Sequence, residues 1–160
     1  MMIYKRLSCL VLLLSIVIIP KISFSQLRTF DFEQIDSLRK IEKRICVVFI
    51  HTDWCNYCKA MKNKTLKNDS VINKLNKQFY FIELNAEEKS EITFNNHTFK
   101  YKPTGTNTGI HELAEQLAFF ENKISYPTLC FLNPDFKIIY QYNQFINSKE
   151  LILILNQLDK

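Results

Sequence analysis

Two cysteines separated by two residues, Cys55 and Cys58 in "WCNYCK", are the side chains in this sequence best suited to chemistry. A thiolate attacks a disulfide sulfur, and a second thiol within reach can then attack the mixed disulfide and release the product. Thr52 and Asp53 are of the types that cap a helix opening near Cys55. A thiol in such a first turn faces unpaired backbone N–H groups and the positive end of the helix dipole, which favour its ionised form. Cys55 is therefore the candidate nucleophile. At 3.6 residues per turn, Cys58 falls about one turn further on and close to the same face, as a resolving thiol must. A bridge kept closed for structure alone would enclose too short a loop to stabilise much.

Other uses of the same residues are narrower. Zinc takes four ligands, and His51, His97 and His111 show no paired spacing. A copper site built on two thiolates, with or without one histidine, stays open as the alternative. The main reading needs no metal or organic cofactor. Cys46 and Cys130 lie in apolar stretches and read as buried free thiols, which behave as small hydrophobes; a bridge between them is the alternative. Trp54 reads as a platform beside the active thiol, and Tyr57 as a substrate contact or a solvent-facing filler. His51 reads as a satisfied structural histidine, with a place at the site as the other possibility.

The elements that must position the pair follow from periodicity. Phe32, Ile35, Leu38 and Ile41 recur every three residues and predict a helix over about 31–43. Ile45 to Ile50 is short, continuous and β-branched, a strand buried on both faces. The helix begun at Cys55 continues through Ala60, Met61 and Leu66. A further helix over 68–77 turns Val71, Ile72 and Leu75 inward, and a strand follows over 79–84. In "ITFNNHTFKY", residues 92–101, apolar residues alternate around Asn95-Asn96, a pair that tolerates the positive φ of a two-residue hairpin turn. After the polar loop "KPTGTNTG" come a helix over 112–120, strands over 128–132 and 137–142, and a last helix over 148–158. This order predicts an α/β fold, a mixed central sheet flanked by helices.

"WCNYCK" after a buried strand, with "YPT" later leading into another strand, resembles the thioredoxin superfamily over essentially all of residues 26–160. The resemblance implies a thioredoxin fold in which Cys55 is the exposed attacking thiol and Cys58 resolves. It also implies that Pro127 is a cis proline beside them. The backbone of Tyr126 would then meet a substrate chain like an added strand. It is similar, more narrowly, to exported bacterial thioredoxin-like proteins with a WCxxCK site and extra structure before the helix that precedes the cis proline. Here the excess is the inserted β-hairpin and loop within 86–110, which either help select a partner or cover a sheet edge. Two departures stand out. Thioredoxin has a buried acid six residues before its first active cysteine, where this chain has Phe49. Near the end of the next core strand, where thioredoxin has a lysine, stands Glu83, either a replacement proton carrier or a solvated strand-end carboxylate.

The ends and the composition set the compartment. Lys5 and Arg6, the apolar run from Leu7 to Ile19, Pro20 and the small residues of Ser23-Phe24-Ser25 read as a secretory signal cleaved after residue 25. The run has 13 residues, short of the roughly 20 that a spanning helix needs, so no stable membrane insertion is expected after cleavage. Cys9 lies within the run and leaves with it. Cleavage removes Lys5, Arg6 and Lys21 but no acid, leaving 18 basic side chains against 16 acidic ones. That balance offers no footprint for nucleic acid. An exported, periplasmic thiol-disulfide oxidoreductase would act on protein disulfides or thiols, more as a reductase or isomerase than as an oxidase. In an oxidising compartment it would need a membrane-bound thiol redox partner. The competing reading is a copper-binding or redox-silent thioredoxin-fold binding protein.

Overall fold

The computed structural model describes residues 26–159, so the expected cleavable signal at 1–25 lies outside the described residues. Helix α1 (Phe32–Ile41) leads into strand β1 (Ile45–His51), and helix α2 (Asn56–Ala60) runs on into a π-helical turn (Met61–Thr65). Helix α3 (Asp69–Gln78) and strand β2 (Phe79–Asn85) follow. Two small hairpins come next, β3 (Ile92–Phe94) with β4 (His97–Phe99) and β5 (Tyr101–Pro103) with β6 (Gly109–His111). Helix α4 (Glu112–Ala118), a minimal hairpin β7 (Phe119–Phe120) and β8 (Lys123–Ile124), strands β9 (Thr128–Leu132) and β10 (Ile138–Tyr142), and helix α5 (Ser148–Leu158) complete the chain. No helix among the described residues is long and apolar enough to cross a membrane.

The main sheet has the order β10-β9-β1-β2, with β1 and β2 parallel and the other pairs antiparallel. Successive residues of a strand point to opposite faces, and β1 obeys this with an apolar side chain at every position from Cys46 to Ile50. Val48 and Ile50 face one core with Phe32 and Ile35 of α1 and Leu113 and Leu117 of α4. Val47 and Phe49 face the other, with Met61, Val71 and Leu75 on one side and Leu151 and Leu155 of α5 on the other. Two apolar layers around one strand are what make β1 the rigid base of whatever follows it.

The insertion is built into the first core. Asn95 and Asn96 adopt φ of 51° and 61°, the left-handed values a two-residue hairpin demands. Phe94 packs edge-on against Phe32 of α1 at 4.9 Å between ring centroids, and Phe99 is buried in the same cluster. The segment read as a loop at 102–109 and the one read as a helix end at 119–120 take part in short strands instead. Both are too brief for periodicity to register, and the second turns on Glu121-Asn122, which also take positive φ.

Candidate active site

The end of β1 delivers the chain to the cysteines. After His51 a turn closes with the Cys55 amide donating to the Thr52 carbonyl at 3.3 Å, and α2 begins at Asn56. The cap differs from the one expected: Cys55 itself is the N-cap residue, and its sulfur accepts the Cys58 amide at 3.0 Å. Thr52 and Asp53 lie three and two positions before that cap residue, too early for the N-cap role. Cys55 and Cys58 are joined by a disulfide with Cα atoms 5.2 Å apart. Cys55 is 5% exposed and Cys58 1%. Cys55 is therefore less open, in this disulfide-bonded form, than the resemblance implies.

The sheet register brings Tyr126 and Pro127 to the same place. Thr128 pairs with Ile50, so the residues just before β9 lie beside the end of β1. The Tyr126–Pro127 peptide bond is cis. Tyr126 packs on the cluster that contains both cysteines and meets the edge of Trp54 at 6.1 Å. Burial, assisted by the carboxylates of Glu87 and Glu115, pushes its phenol up to about 12. Trp54 is 63% exposed, and its indole donates to Glu87 Oε1 at 3.1 Å. Tyr57 is exposed too and lies 6.5 Å from the half-open ring of Phe145. Large exposed aromatics beside a nearly buried disulfide form an apolar rim.

Beneath the pair lies a polar cluster that motif reading assembles only in part. Glu83 faces Phe49 across the β1–β2 ladder and binds Lys62 Nζ at 2.7 Å. It is thus neither buried nor simply solvated. Lys62, which the sequence reading passed over, stands four residues after Cys58 in the same helical segment, and that i, i+4 spacing is the signal that could have found it. Its ammonium also donates to His51 Nε2 at 3.1 Å. His51 Nε2 lies 3.9 Å from Glu83 Oε2, and the imidazole stacks on Phe49. Burial first, then the Lys62 charge, push His51 below its usual value, with Glu83 and Asp53 opposing. Glu87 was missed because it belongs to the insertion, which no motif connects to the cysteines.

Cys46 and Cys130 are buried free thiols, and burial pushes each up to about 12. Among the described residues, no group of three or more His, Cys, Asp or Glu side chains is arranged to hold a metal ion.

Residues 32–159 match the thioredoxin-like domain family. The chain belongs to that family. Among solved structures it is similar to the DsbH oxidoreductase, with a TM-score of 0.60 and 15% identity over 88% of this chain and 90% of the other. A thioredoxin from Thermus thermophilus gives 0.59 and 19% over 83% and 87%. A disulphide isomerase from Xylella fastidiosa gives 0.54 and 12% over 80% and 87%. Identities this low speak for the thioredoxin fold alone. No curated protein matches the sequence. Within the thioredoxin-like family frame, the Cys55–Cys58 pair is a CxxC at the start of the helix that follows the central strand.

Proposed function

We propose that this protein is an exported thiol-disulfide oxidoreductase that exchanges dithiol for disulfide with protein substrates through Cys55 and Cys58. The carrying observation is the closed Cys55–Cys58 disulfide at a helix start, with the Cys58 amide donating to the Cys55 sulfur. In the reduced protein that amide and the helix dipole favour a thiolate at Cys55. The thiolate attacks a substrate disulfide and expels one substrate sulfur as a thiolate. Cys58, deprotonated, then attacks Cys55, breaks the mixed disulfide and releases the second sulfur. Two electrons pass to the substrate and the pair ends oxidised.

Trp54 and the Tyr126 backbone before Pro127 bind the substrate chain, the backbone by strand-like pairing. Glu83 supports proton handling through Lys62. Reduction or isomerisation is the favoured direction, and a membrane-bound thiol donor outside the cytoplasm restores the dithiol. Relatives of the fold described as an oxidoreductase and as a disulphide isomerase support the class of activity.

Insulin reduction by dithiothreitol tests the reading. Residues 26–160 should accelerate precipitation of the insulin B chain, and Cys55→Ser should return the rate to the uncatalysed background. Equal rates for the two proteins would refute it. The potential of the pair gives the direction. A value near about −270 mV marks a reductant and one near about −120 mV an oxidant.

A further inference from the structure

We propose that His51, acting through a small polar cavity it shares with Cys58, takes the proton from the resolving thiol in the second half of the exchange. This rests on the oxidoreductase reading and adds a residue and a route to it.

A cavity of about 200 Å³ is lined by His51, Thr52, Asp53, Cys58, Lys59 and Lys62. It has room for several water molecules and enough polar partners to hold them. Thr52 is 2% exposed, and its Oγ1 has no hydrogen-bond partner among the described residues. A buried hydroxyl without a partner costs about 1–3 kcal/mol, and this one belongs to a residue that lines the cavity. Cys58 thus has a polar route away from the apolar packing that otherwise surrounds it.

The far side of the cavity is built to receive a proton. His51 is held neutral near pH 7 by its burial and by the Lys62 ammonium. Lys62 spans His51 and Glu83; when Nε2 takes the proton its bond from the ammonium breaks, Lys62 stays on Glu83, and the carboxylate, 3.9 Å from Nε2, compensates the imidazolium. Of the three groups only His51 is buried, while Lys62 and Glu83 are each about one-third exposed, and an apolar residue at position 51 would extend the β1 pattern without placing an imidazole in the core. In the step itself the Cys58 proton passes through the cavity to the imidazole. The thiolate forms the bond to Cys55 Sγ, and the partner sulfur leaves with the electron pair. The imidazolium then returns its proton to solvent.

Reduced protein mixed with 5,5′-dithiobis(2-nitrobenzoate) separates the two halves. Attack by Cys55 releases one thionitrobenzoate, and resolution by Cys58 releases a second. The wild-type second phase should rise with pH through a midpoint below 6.5, set by His51 among its charged neighbours Lys62, Glu83, Asp53 and Lys59. His51→Gln should slow the second phase at pH 7 relative to the first by about a hundredfold, the lower end of general-base contributions. It should also move the midpoint up to that of the thiol itself. Lys62→Met, at a one-third exposed side chain, should raise the midpoint by removing the charge that lowers it, and it serves if His51→Gln does not fold. An unchanged second-phase profile in the folded variants would overturn the role of His51. Absence of the first phase in the wild type would instead overturn the oxidoreductase reading.

Discussion

At the scale of single residues, the four cysteines of the described chain divide by environment. Cys55 sits where an amide and a helix start meet its sulfur, whereas Cys46 and Cys130 are free thiols buried in β1 and β9. A thiol reacts through its thiolate, and burial raises these two to about 12. In the folded, reduced protein at pH 8, iodoacetamide should therefore label Cys55 within minutes and leave Cys46 and Cys130 unmodified. Both should become reactive in 6 M guanidinium chloride. Labelling of Cys46 or Cys130 in the native state at a rate comparable to Cys55 would contradict the assignment. The division was legible in the sequence because CxxC spacing and apolar strand patterns are local signals. The pairing of Lys62 with His51 and Glu83 was not, since it depends on which strand lies beside β1 and in what register.

At the scale of elements, the long segments follow their periodicity and the short ones follow turn chemistry. Helix α5 occupies the residues its pattern predicts, and Asn147 explains the sharp start. Its side chain accepts from Lys149 and Glu150 amides while Glu150 reaches back to the Asn147 amide. Asn147→Ala removes two of those bonds and should cost about 1 kcal/mol, read as a lower urea midpoint with an unchanged slope. A midpoint shift below a few tenths of a kcal/mol would show that packing of Leu151 and Leu155 alone holds α5. The hairpin at 92–99 was legible because Asn-Asn is a recognised turn pair. The one at 119–124 was not, because Glu121 is an unusual residue for positive φ and two-residue strands carry no alternation. The cap of α2 was misread for a related reason: sulfur at an N-cap is rare enough that Thr52 and Asp53 outranked it.

At the scale of the whole molecule, buried titratable groups set the pH range of stability. His51 has a folded pKa below its unfolded 6.5, so the unfolded chain binds the extra proton and stability is lost as pH falls from 6.5. Cys46 and Cys130 have folded values near 12 against 9.0 unfolded. The unfolded chain therefore releases protons first, and stability is lost as pH rises from 9 towards 12. Urea midpoints should be highest between these limits, and His51→Gln should flatten the acid side. A wild-type midpoint that stays constant from pH 8 to pH 11 would contradict the placement of the two thiols. The fold that buries these groups also holds the reactive one, since β1 fixes His51 and Cys46 and ends at the turn into Cys55. The ionisation of Cys55 therefore tests the account most directly, by its rate of alkylation against pH in the reduced protein. A half-maximal rate at or below about pH 7.5 is the expected result, and one at the free-cysteine value of about 8.5 or above would contradict it.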